Sequence, residues 1–313
     1  RDPRFLAFCE DLGASLRDIL SANTEESPPK VSAVQVCPAV RNLVNSAVDL
    51  ALEGQESESL PRLLTASRCA RAIEGGPWQV EFGAWESVEL QVVEGLKAIL
   101  PRVRAGLDLH ELESDLDPTK PRPLLVRALQ GDRAFGNSVY ENFFLHGESA
   151  RLARVSWRTM FSLLYNALIH RDQANYLEWL AKGIDAAKVP YWTWKERGEP
   201  ISDYPTSDPR WLPIGTLIAP DVPKQLSVCA RLEAEMSLAR AALTAYREGS
   251  DAGARAASSS TDPFSGKPLR SRIDPDGVLV LWSVGENLVD DGGAVGDAPE
   301  NPPRDLVWRL RAR

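Results

Sequence analysis

Between Asp262 and Leu310 the chain alternates turn signals with short apolar runs, a pattern that a small antiparallel sheet accommodates and that no earlier stretch shows. Asp262-Pro263 with Ser265-Gly266 is a turn, because proline fixes φ and glycine accepts positive φ. Leu269 to Ile273 (LRSRI) alternates apolar and charged residues, the period of a strand with one face buried. Asp274-Pro275-Asp276-Gly277 is a hairpin turn. Val278 to Val284 (VLVLWSV) is a nearly continuous apolar run rich in β-branched residues, and so the covered strand of the pair. Gly285 to Gly296 is a loop with glycines at 285, 292, 293 and 296 among Glu286, Asp290 and Asp291. Leu306-Val307-Trp308 supplies a short third strand.

The order DP-x-x-G-x-P-L-x-x-R, hairpin, L-W-S-V-G-x-N, acidic glycine-rich loop and D-L-V-W resembles the C-terminal β-region of the major pseudopilins of type II secretion. It is also similar to a module that ends bacterial envelope proteins that are mostly helical before it. A helix ending in a tyrosine precedes that module, and here that helix is Leu226 to Glu248 with Tyr246. ALQGDRA (Ala128 to Ala134) resembles an element of the helical part of the same envelope proteins. The resemblance covers about a quarter of the chain. It implies a pseudopilin-like β-module, an extracytoplasmic bacterial location, and a calcium ion in the loop after the LWSVG strand. The chain departs from a pseudopilin in showing no apolar N-terminal helix with a processing site. More than 220 residues precede the last helix, so an ordinary pilin subunit is excluded.

The loop chemistry supports the calcium expectation independently. Calcium takes six to eight oxygens from carboxylates and carbonyls. Asp290, Asp291 and Asp297 are the expected ligands, with Ser283, Glu286 and Asp305 nearby and glycines that let carbonyls turn inward. A solvated acidic turn is the plainer alternative.

Composition narrows the rest. A chain of 313 residues has length for about two domains. Its 43% hydrophobic and 26% charged residues are those of a globular protein. A net charge of -8 argues against nucleic acid, whose phosphates need a concentrated basic face. No run of 18 apolar residues occurs, so no membrane span is expected. The opening Arg1-Asp2-Pro3, without a Met, suggests a processed or truncated start, removal of a signal peptide or anchor helix being one of the ways to reach it. Four cysteines (Cys9, Cys37, Cys69, Cys229) lack metal-ligand spacing.

Helical periodicity dominates residues 1–187. Helices are expected over Pro3 to Leu20, from Pro38 to Leu52, from Ser59 to Ile73 and from Trp85 to Leu100. A further one follows Pro123, and Leu152 to Leu180 is expected as the central helix of the bundle. An up-down-up arrangement of the first three places Cys37 and Cys69 at the same end, the preferred disulfide if the thiols are not simply buried. Residues 188–225 form a Pro/Trp-rich wrapping segment whose Tyr191, Trp192, Trp194 and Trp211 either bind a partner or cover the helical core. Residues 226–313 comprise the last helix and the β-module.

Catalytic patterns are sparse. His170-Arg171-Asp172 lacks the spacing and the glycine-rich loop of a kinase, and is better read as a satisfied histidine near the end of a buried helix. Glu81, Glu86 and Glu89 beside Trp78 and Trp85 have the composition of a glycosidase carboxylate pair, and equally of an acidic helix. Asp132-Arg133 is expected to pair with neighbouring helices while Gly131 allows close approach. The fold class is therefore mainly α, a multi-helix bundle followed by a small antiparallel β-module. The expected function is that of a non-catalytic extracytoplasmic structural or assembly protein with a protein partner. The alternative is a carboxylate-based hydrolase acting on envelope polymers.

Overall fold

The computed structural model describes residues 33–76, 78–103, 109–145, 160–196, 214–294 and 305–311. Helix α1 (Ala33–Leu52) begins before Pro38, so the proline lies inside it and leaves the Val34 carbonyl without its helical donor. Gly54, at φ +77°, turns the chain into α2 (Glu56–Ala72). Both helices pack on α3 (Gln79–Ile99), and the three meet at Gly95. A Cβ there would lie 2.7 Å from Val44 and 3.0 Å from Leu63. The short α4 (His110–Asp115) lies over α2, and α5 (Pro121–Val139) starts on a proline whose missing N–H is an orphan at that position anyway. A π-helical turn, Tyr140–Leu145, extends α5. Then come α6 (Met160–Ala187), the short α7 (Tyr191–Glu196) and α8 (Gly215–Ile218), α9 (Val222–Glu248) and α10 (Ser250–Ser259). The expected helix over Pro3 to Leu20 lies outside the described residues.

The central helix is α9, not the Leu152 to Leu180 stretch. It packs against α3, α5, α6, α7, α10 and two strands of the sheet. Leu232, Ala234, Met236, Leu238, Ala239 and Ala242 are all fully buried, although they point in every direction around the helix. A helix buried all round shows no single apolar stripe. Its alanines permit close approach on the crowded sides.

The β-module has the expected topology. Strands β1 (Arg270–Ile273), β2 (Val278–Ser283) and β3 (Leu306–Arg311) form an antiparallel sheet in the order β1-β2-β3. Register places Ser271 opposite Leu281 and Leu281 opposite Trp308. Leu279, Leu281, Trp308 and Leu310 join the helical core, while Val280, Trp282 and Val307 form a small cluster on the other face. No strand precedes β1 among the described residues. One core runs continuously from Val40 to Leu310. The boundary at 226 drawn from sequence falls within α9, which packs with the bundle and the sheet alike.

The expected Cys37–Cys69 disulfide is not formed: Cys69 is a free thiol. Cys37 instead turns toward α3, with its sulfur 3.7 Å from the Ala84 carbonyl. That contact comes from α3, which the up-down-up arrangement of the first three expected helices did not include. Cys229 is buried in α9, and burial pushes its thiol up.

Candidate functional site

The turn signal Asp262-Pro263-Phe264-Ser265-Gly266 is built around a carboxylate with no solvent exposure. Asp262 Oδ1 accepts from Phe264 N (3.0 Å) and Ser283 Oγ (2.8 Å), and Oδ2 accepts from Ser265 Oγ (2.9 Å) and Val284 N (3.3 Å). Gly266, at φ +67°, donates its N–H back to the Asp262 carbonyl. One residue thus closes the turn and ties it to the end of β2. Arg270 Nη1 stands 3.8 Å from Asp262, and its Nε pairs with Asp290 at 2.7 Å. A buried acid, an arginine and a loop acid therefore form one chain of charge.

That chain orders the acidic loop, which folds back over the outer face of the sheet. Asp290 Oδ1 accepts from Trp282 Nε1 (2.9 Å) and Gly292 N (3.0 Å). Burial alone would raise its pKa. The Trp282 and Gly292 donors and the Arg270 charge outweigh it and hold the carboxyl below its ordinary value. Arg272 lies over the Trp282 ring, 5.5 Å from its centroid, and donates to the Gly292 carbonyl. At Gly293, φ +66°, a Cβ would stand 3.1 Å from the Trp282 ring, so glycine lets the loop lie flat on it. Gly293 N donates to Asp305 Oδ2 at 2.8 Å. Burial raises the Asp305 pKa, and the neighbouring Asp290 and Asp291 charges add to this against the Gly293 and Asp291 N–H groups.

This geometry revises the expected ligand set. Asp290 is neutralised by Arg270 and has both oxygens committed, so the loop does not need a cation to restrain it there. Asp291 Oδ2 and Asp305 Oδ1 are buried without a hydrogen-bond partner, the condition of oxygens able to accept a cation. Asp297 lies outside the described residues. Among the described residues no group of three metal-ligating side chains converges.

The aromatic segment turns inward. Tyr191 is buried and meets Phe264 edge-on at 5.4 Å and Trp194 at 5.5 Å. Burial, with the charge of Glu286 and against a hydrogen bond with Ser227, pushes its hydroxyl up to about 12. The Trp192 ring covers Gly266, where a Cβ would lie 2.6 Å away, and its backbone N–H donates to the Pro263 carbonyl. These rings clamp the Asp262 turn onto the bundle, leaving Trp192 and Trp194 partly exposed. Trp211 lies outside the described residues.

The other singled-out residues disperse. Glu81 Oε2 accepts from Trp78 N at 3.4 Å and caps α3. Burial pushes Glu86 up to about 7 against the charges of Arg231 and Lys224 on α9. Glu89, almost fully buried, is pushed up to about 8 and lies among Lys120, Asp115 and Glu74. The three carboxylates thus serve different neighbours. His170 is exposed in mid-helix rather than satisfied inside, whereas Asp172 accepts from Tyr140 Oη (2.7 Å) and Gly215 N (3.0 Å). Asp132 accepts from Gln79 N at 3.4 Å at the start of α3, with burial raising its pKa to about 6. Arg133 is exposed. A close approach occurs at Gly136, one turn after Asp132, where a Cβ would lie 2.3 Å from the Tyr176 ring. The hub at Asp262, the Arg270 relay and the buried Glu235–Trp308 bond (2.9 Å) escaped the sequence reading. Asp262 in the turn just before the hairpin that carries Arg270 and Trp282 was the available signal for the first two.

No protein-family model, no curated protein and no solved structure matches this chain. The residues themselves define a helical bundle carrying a small antiparallel sheet, with the sheet's glycine-rich loop locked by ionic and aromatic contacts.

Proposed function

We propose that the chain is a non-catalytic structural or assembly protein that works outside the cytoplasm by presenting its β-module to a protein partner. One observation carries the reading: its buried carboxylates join elements to one another. Asp262 joins the turn to β2, Glu235 joins α9 to Trp308 of β3, and Glu233 joins α9 to Arg122 of α5 at 2.6 Å. Side chains committed in this way stiffen a scaffold, and a rigid module presents a constant surface. Tyr191 and Trp192 support the module from the bundle side, which leaves the exposed sheet edges and the loop for the partner. The test is native mass spectrometry of the chain isolated from its source. A stoichiometric complex with another protein is expected. A monomer that cleaves envelope polymers, with the cleavage lost in Glu86→Gln, overturns the reading.

The module also takes one calcium ion, held by Asp291 and Asp305 with further oxygens from the loop. Its role is to neutralise two neighbouring acids. Saturating calcium should raise the melting midpoint by several degrees, because ligand binding to the folded state stabilises by mass action. The double variant Asp291→Asn, Asp305→Asn should abolish the rise, and Asp290→Asn should keep it. An unchanged midpoint with no metal by elemental analysis would dispose of the ion.

A further inference from the structure

The sheet has two edges, and they differ. Backbone bonding alternates along an antiparallel ladder, each residue pairing to one side only. Asp274 N donates to the Val278 carbonyl, which sets the phase: Val278, Val280 and Trp282 bond toward β1, and Leu279, Leu281 and Ser283 bond toward β3. The β3 partners of these last three are Leu310, Trp308 and Leu306. The N–H and C=O groups of Val307, Arg309 and Arg311 therefore face away from the sheet, and no backbone group among the described residues pairs with them there. At the other edge only Ser271 and Ile273 face outward, on a four-residue strand against which α10 packs. Beside β3, on the inner side where Leu310 joins the core, lies a cavity of about 330 Å³. Leu100 and Val103 after α3 wall it, with Ala245, Tyr246 and Ser250 of the α9–α10 corner. Ser250 Oγ is buried in that wall with no hydrogen-bond partner among the described residues.

We propose that β3 accepts an extended segment of a protein partner as a fourth strand, and that this segment carries an acid–apolar–acid triplet. Such a strand rests on the partner-binding scaffold of the proposed function and gives its partner a chemistry. Side chains alternate along a strand, so every second residue of the added one shares the outer face with Val307, Arg309 and Arg311. The residues between share the inner face with Trp308 and Leu310. On the outer face the charges select acids. Arg272 and Arg309 share one carboxylate, Asp274, at 2.7 and 3.0 Å, and Arg311 is exposed with no acidic partner among the described residues. Carboxylates beside Arg309 and Arg311 supply the missing charge, and a basic strand is repelled. On the inner face the residue between the two acids lies next to Leu310, where the cavity begins. Its volume is at the small end of ligand pockets, about 300–1,000 Å³, and suits one large apolar side chain. Ser250 Oγ offers the segment a hydrogen bond that the chain leaves unmade. Main-chain bonds then supply affinity, and the cavity and arginines supply specificity. A second copy of this chain is the poorer occupant, because β3 laid against β3 sets arginine beside arginine.

Fluorescence anisotropy and amide hydrogen exchange on the full chain test the site, with the labelled peptide Ser-Thr-Glu-Leu-Glu-Thr-Val-Thr as probe. Saturable binding should protect the amides of Val307, Arg309 and Arg311 and leave those of Ser271 and Ile273 unchanged. A peptide with lysine in place of both glutamates should bind about tenfold more weakly or worse, since opposite charges across strands attract and like charges repel. A peptide N-methylated through the triplet, whose backbone cannot donate, should lose binding as well. The variant Arg309→Glu, Arg311→Glu should reverse the preference and take the lysine peptide, a result that a misfolded chain cannot give. If that variant does not fold, Arg309→Gln, Arg311→Gln should lose the discrimination between the two peptides. No saturable binding, protection away from β3, equal affinity of the parent chain for both peptides, or a dimer of the chain alone formed through β3 overturns the proposal. A native protein partner whose footprint spares β3 overturns this site and leaves the scaffold reading standing. A peptide held at β3 with no native protein partner overturns that reading and leaves the site.

Discussion

Asp262 shows how much one side chain can hold. Four donors converge on its two oxygens at zero exposure, so removing it strands Ser283 and two backbone N–H groups in the interior. Asp262→Ala should lower stability by about 3 kcal/mol or more, since each buried donor left unpaired costs roughly 1–3 kcal/mol. Chemical denaturation reads this directly, and a loss below about 1 kcal/mol would show that water replaces the carboxylate. Leu288 is the opposite case. It is a non-glycine residue at φ +60°, half exposed, in the loop after β2. A left-handed conformation costs an ordinary side chain roughly 1–2 kcal/mol. Leu288→Gly should therefore raise the unfolding midpoint slightly, the gain being trimmed by the glycine's greater freedom when unfolded. A lower midpoint would mean that the leucine side chain makes a contact worth more than its strain.

Elements are joined here by contacts that span long stretches of chain. Trp308 of β3 reaches Glu235 of α9, with Lys97 of α3 5.8 Å from the ring. A double-mutant cycle between Trp308→Phe and Glu235→Gln should give a coupling of about 1 kcal/mol or more, because the bond is buried and local dielectric is low. Additive effects would show that the sheet docks through apolar area alone. The α7 clamp offers a steric counterpart. Gly266→Ala meets both a left-handed φ and the Trp192 ring, so it should cost about 2–3 kcal/mol and be partly rescued by Trp192→Ala.

The molecule as a whole carries several carboxylates whose pKa burial raises. Burial raises Glu86 to about 7 and Glu89 to about 8, and raises Glu233 and Glu235 as well. A group whose folded pKa exceeds its unfolded value binds more protons when folded. Its stabilising contribution is complete below the unfolded value near 4.5 and is lost as pH rises through the folded one. The melting midpoint should therefore fall between pH 5 and pH 8, and Glu89→Gln should flatten part of that slope. An increase over the same range would show that Glu89 and Glu86 ionise with the chain folded at little penalty.

Local order was legible in the sequence wherever its cause is local. Proline and glycine at Asp274 to Gly277, the alternation in LRSRI and the apolar run VLVLWSV set φ, period and burial within a few residues, and the hairpin follows. The same holds for α2, α3 and α5, whose apolar faces repeat at helical spacing. Periodicity reports one buried face, so although it located the helix α9 it could not show that this helix is buried on every side. Nor does spacing reveal which charges meet. Asp290 reads as a metal ligand until the sheet brings Arg270 and Trp282 to it, and Asp305, expected only nearby, is laid beside Gly293 by the fold. For Tyr191 and Trp192 the sequence left open a partner surface or a cover on the core, and only the tertiary structure packs the Asp262 turn against them. Pairings across 8 to 74 residues depend on how whole elements dock, and that is decided by the shared core rather than by any neighbour in the chain.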